Sequence, residues 1–336
     1  MKHLLYLLLA LTFLPGSPAR AQQSKVLTVA FGSCNRVELP QPLWPAIGRE
    51  KPDVWVWLGD NIYGDTNDMQ ALQAKYIAQL NQPGYRQFRQ QVPNIIGTWD
   101  DHDYGRNDAG KEYPFKQQSQ QLALDFLQEP RESARRKQQG LYAAYTYRLG
   151  KKKVKVILLD NRYFLDPLER GFARNYLPSP TGDILGADQW QWLKQQLTGS
   201  DADVHIIGSG IQFLAQEHPY EKWANFPAAR QRLLSLLVSS RAKGVILLSG
   251  DRHIGEMSKI TLAGRAQPIY EITASGLTHS ATQNAGEPNQ YRVGPLVNQK
   301  HYGVLRFRQQ GKKLLVTAAL KGEDDQEFYS QEIEVN

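Results

Sequence analysis

The chain has 336 residues, a formal net charge of +7, 41% hydrophobic residues and a single cysteine. That composition excludes a disordered or low-complexity polypeptide, and one cysteine excludes a disulfide-stapled scaffold. Basic residues are scattered and not interleaved with aromatics, so no nucleic-acid-binding module is expected.

Lys2 and His3 precede an apolar run from Leu4 to Leu14, which is followed by Pro15-Gly16 and by Ala19-Arg20-Ala21. This is the pattern of a secretory signal peptide cleaved after Ala21. The run is too short for the roughly 20 residues that span a bilayer. The mature protein is expected to be exported, periplasmic or secreted, with no transmembrane segment, and residues 22–336 to form one domain.

Val26 to Phe31 reads as a short buried strand that stops at Gly32-Ser33-Cys34-Asn35. Val54 to Leu58 is a second, ending in Gly59-Asp60-Asn61-Ile62-Tyr63-Gly64-Asp65. A helix is predicted from Asp68 to about Asn81, with Leu72, Tyr76 and Leu80 on one face and Pro83-Gly84 closing it. Asn94 to Thr98 is a third strand and runs into Trp99-Asp100-Asp101-His102-Asp103. Residues 114–140 read as helical and then charged. A strand follows at Tyr142–Arg148, and a buried one at Val154–Leu159 ends in Asp160-Asn161-Arg162.

Residues 165–185, rich in Pro and Gly, are predicted to be a surface loop near these strand ends. Helices at Gly186–Leu197 and 227–240 flank a strand at Val204–Ile207 that ends in Gly208-Ser209-Gly210-Ile211-Gln212. Val245 to Leu248 then runs into Ser249-Gly250-Asp251-Arg252-His253. Buried strands alternating with helices imply an α/β fold with parallel or mixed sheets. The strand-like segments after Ile254 are expected to form a second sheet packed on the first. Trp44, Trp190 and Trp192 are expected in the core. The basic runs Arg131–Lys137 and Lys151–Lys155 are expected as solvated faces.

Collected by strand end, Cys34, Asp60, Tyr63, Asp100, Asp101, His102, Asp251 and His253 bring thiolate, phenolate, carboxylate and imidazole donors to one edge of the fold. Thiolate and phenolate beside several carboxylates favour a hard trivalent ion such as Fe³⁺. The surplus oxygens suit Ca²⁺ or another divalent ion next to it. His218, His279 and His301 lack such neighbours in sequence and are expected as surface or supporting residues.

In order along the chain, Phe31-Gly32-Ser33-Cys34, Gly59-Asp60-Asn61-Ile62-Tyr63, Trp99-Asp100-Asp101-His102-Asp103, Leu159-Asp160-Asn161-Arg162 and Ser249-Gly250-Asp251-Arg252-His253 resemble the PhoD-type alkaline phosphatases, relatives of purple acid and calcineurin-like metallophosphatases. The resemblance covers about residues 28–280. It implies a four-layer α/β/β/α sandwich with two mixed sheets, and hydrolysis of phosphate mono- or diesters of small molecules by a metal-bound hydroxide. Cys34, Asp60 and Tyr63 resemble the Fe³⁺ ligands, with Asp60 bridging to a divalent ion. Asp100, Asp101, Asp251 and His253 would complete the shell. His102 would be a ligand or would orient one, and Asn107 would be a further ligand. Asp160, Arg162 and Gln212 would contact substrate or support the ligands, and Arg162 and Arg252 would hold phosphate oxygens. Asp60, Asp101, His102, Arg162 and His253 would carry the catalysis.

Where metallophosphatase relatives often carry Asn-His after the third strand, this chain has Asp101-His102. The resemblance also implies a compact branch without the N-terminal β domain of the prototype sequences. Two rival readings are a hydrolase with Cys34 as nucleophile, paired with His102 or His253, and an exported metal- or phosphate-binding protein without turnover. Phosphate-binding Gly-Lys loops, His-Glu-x-x-His and Gly-x-Ser-x-Gly are all absent from the sequence.

Overall fold

The structure, a computed structural model, describes residues 26–172, 175–283, 286–311 and 313–335. The expected signal peptide lies outside them. No helix among the described residues is long and apolar enough to cross a membrane.

The central device is a strand with different apolar side chains on its two faces. In β2 (Val54–Leu58), Val54, Val56 and Leu58 point into one apolar cluster and Trp55 and Trp57 into another. Period-two alternation therefore buries the strand on both sides. β1 (Val26–Gly32) and β3 (Ile95–Thr98) flank β2 in parallel register. In the other sheet β5 (Lys152–Leu158), β6 (Val204–Gly208) and β7 (Val245–Ser249) do the same, preceded by β4 (Ala143–Leu149), which pairs antiparallel with β5.

The strands after β7 divide between the sheets. β8 (Gly255–Ile260), β9 (Ile269–Ala274) and β10 (Arg292–Val297) extend the β7 side, giving the order β10-β8-β9-β7-β6-β5-β4. β11 (Tyr302–Gln310), β12 (Lys313–Lys321) and β13 (Glu327–Val335) return to the first sheet, in the order β13-β12-β11-β1-β2-β3. The expectation that the C-terminal third forms its own sheet is thus corrected. β1 has a free edge, and β11 fills it antiparallel, with Val29 opposite Leu305. β8 and β10 carried no apolar run to announce them. β10 is an edge strand with an irregular register between Val293 and Val297, where Pro295 is tolerated.

Between the sheets lies an apolar core of Val29, Phe31, Val56, Val156, Ile206, Leu248, Phe307 and their neighbours. The outer face of the first sheet is covered by α1 (Trp44–Arg49), α2 (Met69–Asn81), α3 (Pro83–Gln91) and α5 (Lys116–Phe126); α4 (Asp101–Tyr104) is a single turn after β3. α6 (Gly186–Leu197) and α7 (Pro227–Ser239) cover the second sheet. The fold is an α/β/β/α sandwich of two mixed sheets.

Pro83-Gly84 opens α3 instead of ending the helical region. Pro at the first helical position gives up an N–H that has no intrahelical partner anyway, and the Gln82 side chain accepts from Gly84 N. Asp68 caps α2 by accepting from Gln70 N and Ala71 N. Trp44 and Trp190 are buried, and Trp192 is half-buried against Tyr142. One basic run is not a solvated face throughout, because Arg135 is buried and donates to Gly97 O (2.7 Å) and Leu141 O (2.9 Å).

Candidate metal centre

All the parallel strands point their C-terminal ends to one edge, and the chemistry gathers there. Six of the eleven non-glycine residues with left-handed φ among those described lie at this edge: Cys34 (61°), Asp60 (49°), Asp65 (48°), Asp108 (58°), Asp251 (66°) and His253 (55°). Each such backbone costs about 1 kcal/mol or more, and strain of this kind collects where side chains must be aimed. At Gly59 (φ 94°) a side chain would overlap Asp100, so the β2 turn can approach the β3 end only as glycine.

Asp103 locks these two strand ends together. Its Oδ1 accepts from Asp100 N (2.7 Å) and Asp60 N (3.2 Å), and its Oδ2 accepts from Asn61 Nδ2 (2.6 Å) and Asn61 N (3.2 Å). Asp103→Ala is expected to lower the unfolding free energy by about 3 kcal/mol, read from the denaturation midpoint, because it strands buried N–H groups at both turns.

Asp60 is the common member of three donor groups whose ligand atoms lie within 4.8 Å of one another: Cys34, Asp60 and His253; Asp60, Asp101 and His102; and Asp60, Asp100, Asp101 and Asp251. Its Oδ2 lies 3.5 Å from Cys34 Sγ and 3.2 Å from Tyr63 Oη. Tyr63 Oη is 3.0 Å from His253 Nε2. Asp101 accepts from His102 N (2.9 Å) and Asp108 N (2.7 Å), and His102 Nδ1 meets Asp65 Oδ1 at 2.7 Å.

These donors fit metal ions. Asp60 Oδ1 and Asp100 Oδ2 are buried with no hydrogen-bond partner, an arrangement that costs free energy unless a cation satisfies it. The electrostatics agree. Burial, then Asp101, Asp100 and Asp103, holds the Asp60 carboxyl well above its usual range. Burial, with Asp101 and Asp251, pushes Asp100 up to about 8 against the pull of Arg162. Burial, Asp60 and Asp251 likewise raise the Cys34 thiol. For His102, burial disfavours the charged ring, but Asp101, Asp65 and Asp60 outweigh it and push the imidazole up to about 10. Positive charge inside the cluster would let the acids ionise together. His253 is driven the other way, down to about 3, by burial and by His279, which leaves it in the neutral form that ligates.

Four of the donors, Asp101, His102, Asp251 and His253, line a cleft of about 970 Å³ together with Asn107 and Arg252. Arg252 is held by Glu287 (2.8 Å) and stacks 4.1 Å over the Tyr220 ring. The three residues expected to contact substrate or support the ligands are all buried behind the cleft wall. Arg162 is fully buried, with Nε 2.6 Å from Asp100 Oδ1 and an Nη 2.5 Å from Glu221 Oε2, so its fork faces carboxylates and not the open cleft. Asp160 is buried and accepts from Leu141 N, Arg162 N and Tyr163 N, which makes it a turn-former. Gln212 is buried against Glu256 (2.6 Å) and Thr273 (2.9 Å).

Other residues enter unannounced. His279 Nε2 is 3.2 Å from both Tyr63 Oη and His253 Nε2, where the sequence led only to a surface or supporting residue. Its signal was the end of β9, where Ser275-Gly276 repeats the small, polar turn of the other strands. Glu221, Asp108, Arg170 and Tyr176 line the cleft from loops that carried no motif. Arg170 and Tyr176 come from the 165–185 loop expected near the site.

The sequence profile of PhoD-like phosphatases matches residues 29–319. The chain is 25% identical over 292 residues to alkaline phosphatase D of Bacillus subtilis (strain 168), a match covering 72% of this chain and 48% of that protein. It therefore spans about half the length of this curated relative. A solved structure of PhoD shares the fold with a TM-score of 0.72 at 17% identity, over 91% of this chain and 71% of that one. Family profile, ordered motifs and fold agree, and the chain belongs to the PhoD-like phosphatase family.

Proposed function

We propose that this chain is an exported metal-dependent phosphohydrolase acting on phosphate monoesters, diesters or both, with residues 22–336 as its catalytic domain. One observation carries the reading: buried Asp60 is shared by three donor groups, each with a member on the wall of a single cleft. Export rests on the apolar run Leu4–Leu14 and Ala19-Arg20-Ala21.

The donor chemistry divides the cluster. Cys34, Tyr63 and His253 with Asp60 suit Fe³⁺, and Asp100, Asp101 and Asp251 with Asp60 suit Ca²⁺ or a similar divalent ion. Ions held as such a pair lower the pKa of water and neutralise charge on a transferring phosphoryl group. The chain's own residues supply the rest. Asp65 fixes the His102 ring through Nδ1, which leaves Nε2 for a ligand or a phosphate oxygen. Arg252, braced by Glu287 and Tyr220 at the cleft wall, is placed to pair with phosphate, and Asn107 borders the same opening. Arg162 acts through Asp100, as a positioning residue.

Two observations disfavour Cys34 as nucleophile. Its thiol is fully buried, and it sits beside carboxylates that resist thiolate formation. The test is hydrolysis of p-nitrophenyl phosphate and of its bis ester by the purified protein, with metal analysis. Chelation is expected to cut turnover by about 100-fold or more, and added metal to restore it. Full activity in metal-free protein would sink the proposal. Inactivation by thiol alkylation without metal would point to Cys34, and bound metal without turnover would point to a binding protein.

A further inference from the structure

We propose that His279 is an additional protein ligand to the ion held by Tyr63 and His253. The inference rests on the metal-centre reading above and goes beyond it, because His279 belongs to none of the ordered strand-end motifs.

The first argument is geometric. Tyr63 Oη, His253 Nε2 and His279 Nε2 form a nearly equilateral triangle with edges of 3.0, 3.2 and 3.2 Å. Neighbouring donors around a six-coordinate ion at about 2.1 Å lie about 3.0 Å apart, so this is the shape of one coordination face. The hydrogens alone do not account for it. The phenol proton is directed at Asp60 Oδ2 (3.2 Å), and the two imidazole nitrogens face each other as well as the phenol oxygen, so no single set of protons serves every edge.

The second argument concerns the tautomer. Thr278 Oγ1 accepts from Arg36 N (2.9 Å) and has Cys34 O at 3.2 Å to take its proton. In that arrangement it accepts from His279 Nδ1, 3.0 Å away, which puts the ring proton on Nδ1 and turns the Nε2 lone pair to Tyr63 and His253. A ligating histidine takes this arrangement when its other nitrogen donates to a neighbour. The loop is also tied to the Cys34 turn, through Leu277 N to Ser33 O (3.2 Å) and Thr278 N to Cys34 O (3.3 Å). Cys34 and His279 thus approach the ion as one unit.

The test uses the purified chain loaded with Fe³⁺, whose bond to a tyrosinate gives a visible charge-transfer band, and separately with Co²⁺, whose spectrum reports coordination number. Tyr63→Phe should abolish the iron band. His279→Ala should keep the band but shift it and weaken iron binding by about tenfold or more. Added imidazole should restore the native band in His279→Gly, an effect that a purely structural role would not produce. His279→Gln, which keeps the side-chain bulk, and metal-free melting curves guard against misfolding. Loss of the band in Tyr63→Phe, with unchanged band, Co²⁺ spectrum and affinity in His279→Ala and His279→Gln, would overturn the proposal and leave the metal-centre reading standing. If neither ion binds the wild-type chain, or Tyr63→Phe changes nothing, the metal-centre reading fails and the proposal with it.

Discussion

Replacing Asp60 with asparagine is expected to lower kcat/KM on phosphate esters by about 10³-fold or more, roughly 4 kcal/mol of transition-state stabilisation. Asp60 is the one residue common to all three donor groups. Its Oδ2 faces Cys34 and Tyr63, while Oδ1 is buried without a partner. An amide cannot bridge two cations through a pair of anionic oxygens. The fold should not suffer, because Asp60 is buried with Asp100, Asp101 and Asp103, whose charges oppose its ionisation. Removing one acid from that cluster should leave the metal-free variant at least as resistant to heat as metal-free wild type at pH 8. Activity would then have been maintained at the expense of stability, a common relation at strained sites. Steady-state kinetics, metal content and melting curves on the same preparation check it. A variant that lost activity by unfolding would contradict the assignment.

Arg162→Met is expected to act in the opposite order, costing about 3–5 kcal/mol of folding free energy. The guanidinium is fully buried between Asp100 and Glu221, at 2.6 and 2.5 Å. Without it, two carboxylates are left in a protein interior with no counter-charge. Denaturant melts should show the loss. Adding Glu221→Gln should recover part of it, giving a coupling of about 1–3 kcal/mol in a double-mutant cycle. Turnover should fall as well, because Asp100 loses the group that orients it. Were Arg162 a phosphate clamp, Arg162→Lys would raise KM with stability unchanged. Its place between two carboxylates predicts the reverse.

How much of this was legible in the sequence follows from how each residue reaches its place. The ends of β1, β2, β3 and β7 were readable because a strand buried on both faces is written as an unbroken apolar run. An Asp, Cys or His straight after such a run stands out. Asp60, Asp101 and His253 were singled out that way, and α2 was read from its helical spacing after Asp68, which caps it. Glu221 was not, since its meaning lies in Arg162, which reaches it only after β5 and β6 have paired. Arg162 stayed open between substrate and supporting roles for the same reason: sequence shows a charged residue at a strand end but not whether a carboxylate already occupies it. His279 joins the centre because β9 lies beside β7, a neighbour relation that skips β8 and is not written in chain order. Arg135, in a run of charges, gave no sign that its partners would be the buried carbonyls of Gly97 and Leu141.

The return of β11 to the edge of β1 bears on how the molecule is made. Val29 finds its partner Leu305 only when nearly the whole chain is available, and β1 carries Cys34 at its end. Pairings of such high contact order close late, because the entropy of a very long loop must be overcome before any contact rewards it. The first sheet should therefore be the slow step of folding, and its incomplete edge the stage most exposed to aggregation. A small zinc domain uses its ion to nucleate folding. Here the order is reversed for one donor: Cys34 follows a strand whose edge is filled by one of the last strands of the chain, so metal uptake should mark the end of folding, and its rate should report on that final closure.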